Sequence, residues 1–211
     1  MPTAADGGGY GVVMRWRGVH HVELNVRDYD ESIAFYDAMF GWLGYNSFWT
    51  LDIEYRSTYY MSRFPAPHSY IGIQPAATGD KLRHSDQAVG INHIALWARS
   101  RKEVDRFHDT FLIPRAIPVI FPPKEYPEYL PGYYAVFFDD PINGIQWELA
   151  RLPTIPSPAG MWRSWRVLRT VAEAHPQWKH SVAREAMRTL PGRGVILTGQ
   201  GGVGHHQVQR D

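Results

Sequence analysis

The chain has 211 residues, a net charge of +1 and no cysteine. Disulfides, thiolate ligands and cysteine nucleophiles are thereby excluded, so any metal must be held by His, Asp, Glu or amide oxygen. With 44% hydrophobic and 14% aromatic residues it can build a core, while its apolar runs fall short of a membrane span.

Met1–Gly9 is small, polar and glycine-rich, without the apolar centre of a secretory leader. Residues 1–16 are expected to be a flexible segment, and the protein is expected to be cytoplasmic. Residues 18–26 alternate and are rich in Val and Leu, which predicts a strand. Asp30 is placed to cap a helix from Glu31 to about Phe40, with Ile33, Phe35, Tyr36, Met39 and Phe40 as its apolar side. Gly41 and Gly44 end it. Residues 47–53, 56–63 and 69–75 read as three short strands separated by turn signals.

After a polar linker, residues 76–89, the same order recurs. Residues 90–98 read as a strand, and Ser100 with Glu103 forms a capping box for a helix to about Leu112 that buries Val104, Phe107 and Phe111. Strands follow at 115–121, 132–139 and 144–150. The proline- and tyrosine-rich stretch 122–132 reads as a loop able to cover a cavity. The turn Asp139–Gly144 joins the last two strands as a hairpin.

The two halves also match residue by residue. At an offset of 72, His21, Leu24, Arg27, Glu31, Phe35 and Asp37 recur as His93, Leu96, Arg99, Glu103, Phe107 and Asp109. Two strand–helix–three-strand units, residues 17–76 and 90–152, therefore make one α+β domain, 17–152, with paired βαβββ units expected to enclose a metal-binding cavity. Strand period two decides what faces that cavity. Val22, Leu24 and Val26 should meet the first helix, leaving His21, Glu23 and Asn25 on the other face. Likewise Ile94 and Leu96 oppose His93, Ala95 and Trp97, and Trp147 and Leu149 oppose Gln146, Glu148 and Ala150. His21, His93 and Glu148 thus share the face away from the helices, a plausible metal trio. His20 should point to the helix side.

Residues 153–198 form a helical extension, and 199–211, with the incidental pair His205-His206, a disordered tail. Met161–His175 predicts one helix with Met161, Trp165, Leu168 and Ala172 on a stripe, and Trp178–Leu190 a second. The first 152 residues carry a net −4 and the remainder +5. The extension is therefore expected to dock on an acidic face, its own or a partner's. No nucleic-acid motif accompanies its basic residues, and neither nucleic acid nor a membrane is expected as a partner.

The segments HHVELNVRDYDESIAFYDAMFGWLG (20–44), INHIALWARSRKEVDRFHDTF (91–111) and YYAVFFDDPINGIQWELA (133–150) together resemble the vicinal oxygen chelate superfamily of glyoxalases, bleomycin resistance proteins and extradiol dioxygenases. The resemblance implies that His21, His93 and Glu148 bind one divalent ion, Fe, Mn, Ni or Zn. Many members add a Glu on the last strand of the first unit. Here Gln74 stands there, either as a ligand through its amide oxygen or bonded to a metal-bound water. An amide cannot act as a base.

Glu23, two residues from His21 on the same face, is the candidate base, or else orients a ligand. Tyr134 or a neighbouring tyrosine is the candidate to bind a substrate oxygen. The family's fosfomycin transferases commonly carry Thr where Glu23 stands, which weighs against that activity. The reading favoured is a metal-dependent lyase or isomerase acting on a small substrate with vicinal oxygens. The alternatives are an Fe(II) dioxygenase, which lacks an evident acid–base His, and a drug-binding resistance protein. A homodimer is expected, through the tryptophans at 162, 165 and 178.

Overall fold

The structure is a computed structural model and describes residues 19–52, 54–62, 69–86 and 88–174. The expected second C-terminal helix, the terminal tail, Trp178 and residues 1–16 lie outside the described residues. The chain divides into two compact units, Met1–Lys81 and Leu82–Asp211.

The first unit runs β1 (His21–Val26), α1 (Tyr29–Trp42), β2 (Asn46–Asp52), β3 (Arg56–Met61) and β4 (Tyr70–Pro75). Its sheet has the order β1-β4-β3-β2, with β1 parallel to β4 and the other pairs antiparallel. The second unit repeats this with β5 (Ile94–Trp97), α2 (Arg101–Phe107), β6 (Val119–Glu125), β7 (Tyr134–Asp139) and β8 (Gln146–Arg151), in the order β5-β8-β7-β6. These are two βαβββ units in an α+β protein. A last helix, α3 (Pro158–Ala174), follows.

In each unit the helix packs on one sheet face. Leu24, Val26, Ile71 and Ile73 are buried with Tyr36, Met39 and Phe40 of α1, and Tyr60 stacks on Phe40 with centroids 4.7 Å apart. In the second unit Phe107 stacks on Phe111 at 5.0 Å and meets Phe138 at 5.4 Å. Val104, Val136, Trp147 and Leu149 complete that buried face.

Several expectations need correction. The cap of α1 is Asp28, whose carboxylate accepts from the Glu31 N–H at 2.9 Å. Asp30 instead meets Arg56 at 3.1 Å on the surface. With the helix starting two residues earlier, its buried stripe becomes Tyr29, Ser32, Tyr36, Met39 and Phe40, and Ile33 and Phe35 are only half-buried. The Ser100–Glu103 box forms as expected, although Glu103 reaches back to the N–H of Arg99, one residue before the cap. The helix then continues to Leu112 as a π-helical turn.

Strand β6 extends through Pro122 and Pro123, where the prolines predict a loop. It is the edge strand, where a missing N–H is tolerated, and its register with β7 shifts on both sides of Phe121. The loop that remains is short, closed by a bond from the Tyr126 N–H to the Tyr133 carbonyl at 2.9 Å.

The stripe expected on the C-terminal helix also shifts. Gly160 and Ser164 are the buried positions, while Met161, Trp162 and Trp165 are 39%, 59% and 49% exposed. Gly160 lies where an added Cβ would come 3.6 Å from the Gly132 nitrogen. Arg163 grips both oxygens of Glu125 at 3.0–3.2 Å. The buried positions Gly160 and Ser164 and the Arg163–Glu125 pair, and not the tryptophans, seat this helix on its unit.

The cap assignment is testable by urea unfolding. Asp28→Ala should cost about 1 kcal/mol, and Asp30→Ala about 0.5 kcal/mol or less, since its ion pair is exposed. Equal losses would contradict the assignment.

Candidate metal centre

In the second unit, β5 and β8 run parallel with Ala95 opposite Glu148. His93, just before β5, therefore stands beside Glu148. Its Nε2 lies 3.3 Å from Glu148 Oε2, and its Nδ1 lies 2.7 Å from Asn92 Oδ1. In the tautomer that donates from Nδ1 to that amide oxygen, which is the form able to hold a cation, the Nε2 lone pair faces the carboxylate. Tyr133 donates its hydroxyl to Glu148 Oε1 at 2.7 Å, which leaves Oε2 to face the imidazole.

Glu148 is only 2% exposed. Burial raises its pKa, and the hydrogen bonds from Tyr133 and the neighbouring His93 offset only part of that. The surroundings are aromatic. Tyr126, Ala135, Phe137 and Ala150 form a buried cluster with Tyr133 packed against it, and Phe137 meets His93 edge-on at 5.7 Å. The Tyr126 hydroxyl is buried without a hydrogen-bond partner among the described residues. The donor set fits a divalent ion. Two acceptor atoms face each other over a gap close to the roughly 3 Å edge of a coordination shell with bonds of about 2.1 Å. A cation there would remove the penalty of burying the carboxylate.

In the first unit, Glu23 stands opposite Gly72, and Asn25 opposite Gln74. Glu23 lies across the strand over Gly72, where a Cβ would fall 2.1 Å from its Oε2. Only glycine leaves room for that pose. Gln74 Nε2 donates to Glu23 Oε2 at 3.0 Å, which turns the amide oxygen of Gln74 away from Glu23 and leaves Oε1 of Glu23 open. His21 stacks flat on Tyr70 with centroids 4.6 Å apart. His20 is not on the helix side. It precedes β1, so strand alternation does not bind it, and its Nδ1 meets the Nδ1 of His21 at 2.8 Å.

Of the six residues singled out in the sequence, His93 and Glu148 come together in one unit, and Glu23 and Gln74 in the other, with Glu23 on the same strand as His21. Within neither unit do three or more His, Asp or Glu side chains gather among the described residues. Tyr134 points elsewhere. It donates to Asp105 of α2 at 2.7 Å under the Arg101 guanidinium, and burial together with that bond pushes its pKa up to about 12. The tyrosine that meets the candidate ligand is its neighbour Tyr133, which strand phase identifies, because Tyr133, Ala135 and Phe137 share the face of Glu148. Asn92 was missed. Its only signal was its position beside His93.

The sequence profile of the Glyoxalase/Bleomycin resistance protein/Dioxygenase superfamily matches residues 18–149. Among solved structures, a candidate glyoxalase from Bacillus halodurans is 30% identical, with 64% of this chain and 95% of that chain covered and a TM-score of 0.48. A glyoxylase/bleomycin resistance protein/dioxygenase domain from Frankia sp. EAN1pec is 19% identical over 65% of this chain and 99% of its own, with a TM-score of 0.51. The fosfomycin resistance protein FosX from Listeria monocytogenes, solved with Mn(II) and sulfate, is 18% identical over 64% and 93%, with a TM-score of 0.44. Among curated proteins none matches the chain. No helix among the described residues is long and apolar enough to cross a membrane.

Burial raises the pKa of Glu148, so the folded chain holds this proton more tightly than the unfolded chain. That contribution to stability is full below the ordinary carboxylate value and is lost as pH rises through the folded value. In metal-free protein, the stability difference between wild type and Glu148→Gln should therefore shift against wild type as pH rises from about 4 to 7. Urea midpoints across that range check this. A pH-independent difference would contradict it.

Proposed function

Because the chain belongs to the Glyoxalase/Bleomycin resistance protein/Dioxygenase superfamily, we propose that it is a divalent-metal-dependent lyase or isomerase for a small substrate with vicinal oxygens. The observation that carries this reading is the buried Glu148 carboxylate facing the Nε2 of His93 at 3.3 Å. His21, His93 and Glu148 hold the ion in this proposal, with the amide oxygen of Gln74 as a further donor. Fe, Mn, Ni and Zn all suit this nitrogen and oxygen donor set. When bound, the ion supplies Lewis-acid stabilisation of negative charge on a substrate oxygen.

The protein's own residues do the rest. Gln74 holds Glu23 by Oε2, and the open Oε1 takes a proton from the carbon beside the substrate oxygen. Tyr133 fixes the rotation of Glu148, so that Oε2 stays turned to His93. The aromatic cluster of Tyr126 and Phe137 lowers the local polarity, which strengthens each charge interaction in that unit.

A second reading, an Fe(II) dioxygenase, draws on His20. Its ring beside His21 supplies the additional imidazole that oxygenase chemistry would need. A substrate panel with oxygen-uptake detection separates the two. The lyase or isomerase reading expects turnover of a 2-oxo-aldehyde adduct or a similar vicinal-oxygen compound without oxygen, reduced about a hundredfold or more in Glu23→Gln with metal retained. Stoichiometric oxygen uptake with a catechol, lost in His20→Ala, would overturn it. Tight drug binding without turnover would point to a resistance protein.

We also propose a homodimer in solution. The support is the exposed pair Trp162 and Trp165, stacked at 4.9 Å on α3, together with exposed Met161 and Ile155. Light scattering at tens of micromolar should give twice the chain mass. A monomer at that concentration would contradict it.

A further inference from the structure

The sheet face of the first unit carries a set of side chains that metal binding does not use. Along β2, β3 and β4 the rings of Trp49, Tyr59 and Tyr70 follow one another edge to face. Trp49 meets Tyr59 at 5.9 Å and 88°, and Tyr59 meets Tyr70 at 5.4 Å and 81°. Rings set at right angles make the walls of a corner, unlike parallel rings that close on each other. Tyr55, in the β2–β3 turn, is hydrogen-bonded to Tyr59. Trp49 and Tyr55 are 50% and 46% exposed, so the corner opens to solvent.

Glu23 is the charge at this corner. In the register of the sheet Glu23, Gly72, Tyr59 and Trp49 stand in one row across β1, β4, β3 and β2, and Tyr70 stands two residues before Gly72 on the same face. The carboxylate lies over Gly72, between its own strand and Tyr59. Its hydrogen-bond partner is the neutral amide of Gln74, and no Lys, Arg or His pairs with it among the described residues. The imidazole of His21, on the same strand face, is stacked on the Tyr70 ring, and Arg56 is committed to Asp30 and the Tyr29 ring.

A carboxylate without a cation, next to several ring faces, is the chemistry that recognises an organic cation. The ring quadrupoles attract a positive group, and a quaternary or tertiary ammonium loses little hydration on entering. A metal ion would prefer more oxygen ligands than this corner offers. We propose that Glu23, Trp49, Tyr55, Tyr59 and Tyr70 form a binding site for an alkylammonium group. The site stands on the first unit alone and does not rest on the metal reading. If the protein turns over a vicinal-oxygen substrate, its substrate class is then one that carries such a cation.

Calorimetry on the full-length protein, stripped of metal with a chelator, tests this with choline and with 3,3-dimethylbutanol, its neutral carbon isostere. Choline should bind, and the isostere about tenfold more weakly. Glu23→Gln, which keeps the shape of the side chain, and Trp49→Ala, at an exposed position, should each weaken choline about fivefold or more. Glu148→Gln should leave choline binding as it is in wild type. Equal binding of the two probes, no binding of either, or full affinity in Glu23→Gln would overturn the proposal. Loss of choline binding in Glu148→Gln would overturn it too, by tying the cation to the other unit. A protein that takes up manganese but ignores choline refutes this site and leaves the metal proposal standing.

Discussion

A carboxylate removed from water needs a compensating charge, and Glu148 has only a partial one. Its 2% exposure would be costly with a phenol and an imidazole as its partners among the described residues. Much of the second unit's architecture maintains that situation. The parallel pairing of β5 with β8 sets His93 beside it, β7 supplies Phe137 directly opposite, and the short β6–β7 loop returns Tyr133 and Tyr126 to the same face. Asn92 then holds the other imidazole nitrogen, Nδ1, at 2.7 Å. Each element makes sense as support for a site that concentrates unbalanced negative charge.

The first unit has the same topology and reaches a different chemistry. Its equivalent face is more open and polar, with Glu23 lying flat over Gly72 and held by Gln74. One glycine allows the pose, because any Cβ at that position would collide with the carboxylate. The replacement of a carboxylate by an amide at Gln74 also matters. A second acid there would repel Glu23, whereas the amide donates to it and retains an oxygen for another partner. Duplication thus supplied two scaffolds, and a few side chains set one to concentrate charge in an aromatic interior and the other to display it beside open rings.

Much of this was legible in the sequence because it follows from period two and from exact repetition. The phase of His93 and Glu148 needed only strand alternation, and the helix-side residues Leu24, Val26, Val104, Phe107 and Phe111 needed only burial. What escaped was set by local competition. Asp28 and Asp30 are both good caps, and the choice depended on where the chain leaves β1. Pro122 and Pro123 read as loop because the edge position of β6 is a property of sheet order, which no local pattern reports. Tyr134 and Tyr133 are identical in type and differ only in phase, so the tyrosine bonded to Glu148 could be chosen only once β7 was placed. His20 lies one residue before its strand, where alternation has no authority. On α3 the tryptophans suggested the buried stripe, whereas the small residues Gly160 and Ser164 are the ones buried.

The buried pair of the second unit is proposed as part of a site for a divalent ion. Titration of metal-free protein with Mn(II), followed by the electron paramagnetic resonance of free Mn(II), tests it directly. One ion should bind per chain, with binding weakened about a hundredfold or more in Glu148→Ala and in His93→Ala. Equal Mn(II) affinity in wild type and Glu148→Ala would contradict it.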